Sequence, residues 1–401
     1  MSRFTPFRAL RYARPNLDDL IAPPYDVIDD VDRQRLLDRH PANAVRIDFP
    51  RRDLTGPTDG YHEAANLLQA WRSGGTLRLD AAPSFSIYRM TAIAAGSTAH
   101  STTGVLGALT LEAPGTGSIL PHEETTSKDK ADRLNLIRAT GINTSPIWGL
   151  SMAQGLAHLY QPNGPADASA TDEDGVLHEL WVLRDATRVA AITERVASSA
   201  VVIADGHHRF ETALAYRDES GAPGSDALLC YLVELAPDEL DVRPIHRIVT
   251  TESGCDLVAA LEPWFVIGEE FSFDPDDDVR AVAALVEAGA MACIGPDFAR
   301  LMRPRASAFE PSVELDSQRL RVALNELGDA VHDIRFHHSV ATVSGAVRGS
   351  DGNTATFGIF LRPATVAQIR GVAETRARMP AKTTFFWPKP RSGIVFRPLA
   401  P

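Results

Sequence analysis

The sequence predicts a mixed α/β (α+β) protein. Apolar residues recur at helical spacing in several segments, these segments alternate with short β-branched or alternating runs, and no internal repeat or low-complexity tract breaks the pattern. Composition agrees: of 401 residues, 44% are hydrophobic and 23% charged, as in ordinary globular chains. At about 100 to 200 residues per domain, that length predicts two or three domains.

The elements follow in order. Arginines mixed with Phe, Leu and Tyr lead to Ala22-Pro23-Pro24-Tyr25-Asp26, where two prolines fix φ and impose a stiff extended turn. Asp59 or Gly60 can cap a helix with Tyr61, Ala64, Ala65 and Leu68 on one face, stopped by Gly74-Gly75. Ser84–Ala92 and Thr102–Leu111 read as strands joined through Ala95-Gly96-Ser97. Ser127 is placed to cap a helix with Ala131, Leu134 and Ile137 on one face, ended by Gly141. A short strand is expected over Ser145–Leu150, a loop or hairpin tip over Gln161–Gly175 and a strand over Val176–Leu183. Asp185 caps a helix carrying Val189, Ile192 and Val196. The buried-looking run Ala200–Ala204 precedes Asp205-Gly206-His207-His208-Arg209 and a helix with Phe210 and Leu214 at i, i+4, after which Leu228–Leu235 reads as a strand. In the last third, helical stripes are Val279, Val282, Ala283, Val286 and Leu320, Ala323, Leu324, Leu327. Strands are expected at Met291–Ile294, Phe336–Val343, Thr354–Leu361 and Gly393–Phe396.

Charge and cysteine content narrow the function classes. With 40 Lys and Arg against 52 Asp and Glu, the net charge of −12 opposes constitutive binding to nucleic acid or anionic membrane. Three cysteines without a C-x-x-C pair exclude a disulfide scaffold and a zinc ribbon, and together with the lack of a spanning or signal-like apolar segment they predict a cytoplasmic protein.

The strongest chemical signal is the β-branched strand followed by Asp205–Arg209 and an amphipathic helix. Glycine at such a turn lets a ligand approach the backbone, the first N–H groups of a helix favour an anion, and Arg209 can grip phosphate. The same residues are also compatible with Asp205 as a plain cap beside two solvent histidines. A second signal is His122-Glu123-Glu124 before a helix start, with Lys128 and Arg133 nearby. This pattern suits a general base and charge neutralisation, and equally a solvated helix cap. His246 between Arg243 and Arg247, and Lys382 in a segment stiffened by Pro380, Pro388 and Pro390, are weaker candidates. Walker A, G-x-G-x-x-G, G-x-S-x-G and H-E-x-x-H patterns are absent.

Together, Ile21-Ala-Pro-Pro-Tyr-Asp-Val-Ile28, Pro121-His-Glu-Glu-Thr-Thr-Ser-Lys128, Asp132-Arg-Leu134, Ser145-Pro-Ile147, Asp205-Gly-His-His-Arg209, Arg243-Pro-Ile-His-Arg247 and Met379-Pro-Ala-Lys382 resemble the domain of unknown function 1015 family. The D-G-H-H-R turn further resembles the phosphate-binding turn of the ParB/sulfiredoxin-like fold, which includes free-serine kinases. That resemblance implies a central ParB/sulfiredoxin-like core with a mixed sheet over 99–250, flanked by α/β segments over 1–98 and 251–401. It also implies phosphoryl transfer between ATP or ADP and a small hydroxyl metabolite, with a serine-like acceptor foremost. In that scheme Glu123, Asp205 and His122 are catalytic, and Gly206, His207, His208, Arg209, Lys128 and Arg133 hold the nucleotide. Tyr25, Asp26, His246 and Lys382 line the acceptor site, and Asp205 binds Mg2+. Two rivals are a metal-dependent hydrolase using Asp205, His207 or His208, His122 and His246, and a nucleotide sensor without turnover.

Overall fold

The computed structural model describes residues 3–50, 60–92, 100–113, 115, 117–121, 123, 130–348 and 354–400. The expected cap Asp59, the Ala95-Gly96-Ser97 turn, His122 and Glu124–Lys128 lie outside the described residues. The fold is mixed α/β, in two compact units: Met1–Asp241 with Pro388–Pro401, and Val242–Trp387.

A nine-stranded mixed sheet organises the first unit. Its order is Ile119–Pro121, Val201–Asp205, Ile147–Ser151, Ala227–Glu234, His100–Thr110, Phe85–Ala92, Leu177–Leu183 and Ala168–Thr171, with Phe4–Thr5 also on His100–Thr110. Val201–Asp205 runs parallel to Ile119–Pro121 and antiparallel to Ile147–Ser151. The central strands are apolar on both faces, as sheets covered on both sides require. Their core includes Phe85, Val105, Ile147, Ile203, Phe210 and Leu232. Helix Ala186–Ala197 is capped by the Asp185 carboxylate, which accepts the Arg188 N–H, and it buries Ile192 and Val196 as expected.

The second unit is a six-stranded antiparallel sheet in the order Phe265–Glu270, Phe298–Pro304, Met291–Gly295, Thr354–Phe360, His246–Glu252 and Val331–His337. Period-two alternation sends Met291 and Cys293 into one core, and Ala292 and Ile294 into another on the opposite face.

Several expected elements are corrected. The stretch 336–343 is not one strand: the strand is Val331–His337, and Val340, Val343 and Val347 at i, i+3, i+7 form the buried stripe of helix Val340–Arg348. The Ser339 hydroxyl, accepting the Thr342 N–H, starts that helix. Helix Asp278–Ala288 buries Ala281 and Leu285 rather than the expected stripe, leaving Val279 59% and Val286 52% exposed. It is apolar nearly all round, so spacing alone could not choose its face. The 161–175 loop contains strand Ala168–Thr171, hydrogen-bonded to Leu177–Leu183. Residues 393–396 form no strand, and Phe396 makes only an isolated bridge to Leu10.

Candidate functional site

Local sequence dictates the turn at the end of Val201–Asp205. Val201, Val202 and Ile203 fill the sheet, and pairing with Ile147–Ser151 becomes irregular between Ile203 and Asp205, an irregularity of the kind that re-aims a side chain at a strand end. Gly206 then takes φ +87°, the left-handed region, and helix His207–Ser220 begins. A Cβ on Gly206 would lie 2.9 Å from Ile147 Cγ2 and 3.0 Å from Arg209 Nε. Glycine is therefore needed twice, for the backbone and for the arginine folded over it.

Asp205 is the electrostatic centre. Its Oδ2 accepts from Arg209 Nη2 at 2.8 Å and its Oδ1 from Lys389 Nζ at 2.5 Å. Burial alone would raise its pKa, but Lys389, Arg209 and His207 outweigh burial and hold the carboxyl well below the usual range. Arg209 Nη1 donates to the Pro146 carbonyl and, at 3.4 Å, to Ser145 Oγ. Its Nε is buried without a hydrogen-bond partner among the described residues. Burial disfavours the Arg209 charge, yet Asp26, Asp205, Tyr25 and Asp48 overcome this and raise its pKa.

Arg133 forms the neighbouring cluster. On helix Lys130–Thr140 the buried face is Arg133, Leu136 and Ile137, whereas Ala131 is exposed, so the expected stripe is rotated. The physical reason is Arg133 itself, whose Nη1 donates to the Asp48 carbonyl at 2.6 Å and whose Nε donates to Asp132 at 2.8 Å. Its guanidinium lies 3.9 Å from the Tyr25 ring centroid. Asp48, fully buried, also accepts from Thr144 at 2.5 Å and Ser392 at 2.6 Å. Arg133 and Arg209 both line a cavity of about 40 Å³. Ligand pockets span about 300 to 1,000 Å³, so this cavity suits waters rather than a nucleotide.

Tyr25, Asp26, Arg133 and Asp205–Arg209 are thus gathered in the first unit. Glu123 lies two residues beyond strand Ile119–Pro121, whose Pro121 pairs with Ile203. His246 and Lys382 belong to the second unit. His246 is fully buried, its Nδ1 accepts the Leu361 N–H at 3.2 Å, and burial with Arg247, His338 and His337 lowers its pKa to about 3. The Lys382 carbonyl accepts from Arg247 at 3.0 Å. A cavity of about 210 Å³ in the same unit has an internally paired polar lining. Arg362 holds Asp316 at 2.6 and 2.8 Å, and the Ser317 and Thr383 hydroxyls meet at 2.9 Å.

Sequence reasoning missed Lys389 and Asp48. Lys389 carried a signal, since a lysine between two prolines has a restricted backbone. Asp48 is a lone carboxylate between Ile47 and Phe49, a pattern that requires partners if buried. The expected magnesium does not fit Asp205, because both carboxylate oxygens already face cations. Among the described residues no group of three or more His, Cys, Asp or Glu side chains could hold a metal ion.

The family described as "Protein of unknown function (DUF1015)" matches residues 4–322. The chain belongs to that family. No curated protein matches it. Among solved structures, the DUF1015 chain is similar to a free serine kinase variant in complex with ADP, at 12% identity, covering 67% of this chain and 84% of that one, with a TM-score of 0.36. It is also similar to C-terminally truncated SbnI from Staphylococcus aureus, at 12% identity, 70% and 82% coverage and a TM-score of 0.38. A conserved hypothetical protein from Pyrococcus furiosus matches at 12% identity, 68% and 90% coverage and a TM-score of 0.34. Among the described residues, no helix of this DUF1015 protein is long and apolar enough to cross a membrane.

Proposed function

We propose that the Asp205–Arg209 turn binds the phosphates of ATP or ADP and that the protein transfers a phosphoryl group between this nucleotide and a small hydroxyl metabolite, a serine-like acceptor foremost. The observation that carries the reading is the left-handed Gly206 joining a buried strand to the N-terminus of a 14-residue helix, with a buried arginine folded over it. Helix N–H groups and the helix dipole favour phosphate there, and low solvent access strengthens that attraction.

In this reading the roles divide by position. The nucleotide lies over the helix N-terminus, since the cavity of about 40 Å³ lined by Arg133 and Arg209 is too small for it. Asp205 orients the cations around the phosphate. Arg133, fixed by Asp48 and Asp132, supports Tyr25, the neighbour of Asp26 in the chain, on the acceptor side. Glu123, two residues beyond the strand that pairs with Val201–Asp205, takes the proton from the acceptor hydroxyl as that oxygen bonds to the terminal phosphorus and the bond from phosphorus to the departing nucleotide's oxygen breaks.

Titration calorimetry with ADP, followed by turnover measurements with serine and related hydroxy acids, tests the reading. Glu123→Gln is expected to lower turnover by about 10² to 10⁴ while nucleotide affinity is retained. Full activity in Glu123→Gln would remove the base assignment, and wild-type protein that binds neither ADP nor ATP would remove the nucleotide reading.

A further inference from the structure

The segment Pro388–Pro401 lies beyond the residues matched by the family, 4–322, yet it packs within the first unit and delivers Lys389 to the end of the Val201–Asp205 strand. Pro388 and Pro390 limit the backbone on both sides of this lysine. The next residues anchor it. Arg391, nearly buried, is held by Asp172, by Glu173 at 2.9 Å and by Asp174 at 3.3 Å. The Ser392 hydroxyl donates to Asp48 at 2.6 Å, and Arg397 donates to the Ala227 and Gly224 carbonyls at 2.8 and 2.9 Å.

Such anchoring exceeds what neutralising Asp205 requires, because Arg209 already does that at 2.8 Å. One carboxylate thus faces two cations at the positive end of a helix, an arrangement that favours an added anion. Arg209 has two of its terminal donors committed to Pro146 and Asp205, while its buried Nε meets no partner among the described residues. Lys389 brings a compact ammonium to the same carboxylate, its Nζ 2.5 Å from Asp205 Oδ1, and so adds a second positive charge at the strand end.

We propose that Lys389 is a direct ligand of the nucleotide phosphate, contributed from the C-terminal segment and positioned by Asp205. This rests on the phosphate-binding reading of the turn and extends it by a ligand outside the D-G-H-H-R motif. The ammonium offsets phosphate charge at the place the resemblance gave to magnesium, so binding persists when divalent cations are chelated.

The test is ADP titration of the full chain in EDTA, comparing wild type with Lys389→Met, Lys389→Arg and Arg209→Ala, each checked for folding by its melting temperature. Lys389→Met should weaken ADP at least tenfold, and Lys389→Arg should recover most of that loss. Independently of any variant, ADP should protect Lys389 of the wild-type protein from acetylation, read by mass spectrometry. If Lys389→Met binds ADP like wild type, or ADP leaves Lys389 acetylation unchanged, while Arg209→Ala loses affinity, this inference is overturned and the phosphate-binding turn stands. If wild-type protein binds neither ADP nor pyrophosphate, both fall.

Discussion

Gly206 and Asp205 show how two adjacent residues set the chemistry of the strand end. At Gly206 any side chain meets two penalties, the positive φ of 87° and contacts of 2.9 and 3.0 Å to Ile147 and Arg209. Gly206→Ala should therefore lower stability by about 1 to 3 kcal/mol, measured by denaturant unfolding, with a larger proportional effect on ADP affinity. Asp205 gives a pH signature. Its folded pKa lies below the unfolded value of about 4, so its contribution to stability is complete above about pH 4 and is lost as pH falls through the folded value. Asp205→Asn should flatten that acid limb of the stability profile and leave Lys389 and Arg209 without their shared counter-charge. An unchanged limb would show that Asp205 is not held by these cations.

At the scale of elements, the spacing of apolar residues told helix from strand more reliably than it told which side of a helix faces inward. Asp205–Arg209 was legible because β-branched residues, a glycine and a helical stripe stand consecutively, and the structure places a strand, a left-handed residue and a helix there. The rotation of helix Lys130–Thr140 was not legible, because it follows from Arg133 reaching Asp48, 85 residues away in sequence. Nor was the role of 388–401, whose anchors are long-range ion pairs and hydrogen bonds. Behind its Arg391 runs a buried chain: the Tyr88 hydroxyl lies 2.7 Å from His178 Nδ1, His178 Nε2 lies 2.8 Å from Asp172, and Asp172 also holds Arg391. Burial would raise the Asp172 pKa, but His178 and Arg391 bring it down to about 2. Arg391→Ala leaves the buried Asp172 carboxylate without its cation and should cost about 3 to 5 kcal/mol in an unfolding titration. A loss under 1 kcal/mol would mean that the segment is not anchored through Arg391.

For the whole molecule, the chain leaves the first unit at Asp241 and returns to it at Pro388, after building a second unit with its own sheet and cores. The first unit thus draws its candidate phosphate site from four regions of sequence: Tyr25-Asp26, the strand and helix around Glu123 and Arg133, the Asp205–Arg209 turn and Lys389. No local pattern could have announced that assembly, although each piece carried an unexplained polar group. The central claim is that a nucleotide phosphate binds at this turn. A crystal structure of the full chain grown with ADP tests it most directly. The account predicts a phosphate oxygen about 3 Å from backbone N–H groups in the first turn of helix His207–Ser220 and from Lys389 Nζ. ADP bound at another surface, with Lys389 still on Asp205 and no anion at the helix N-terminus, would contradict it.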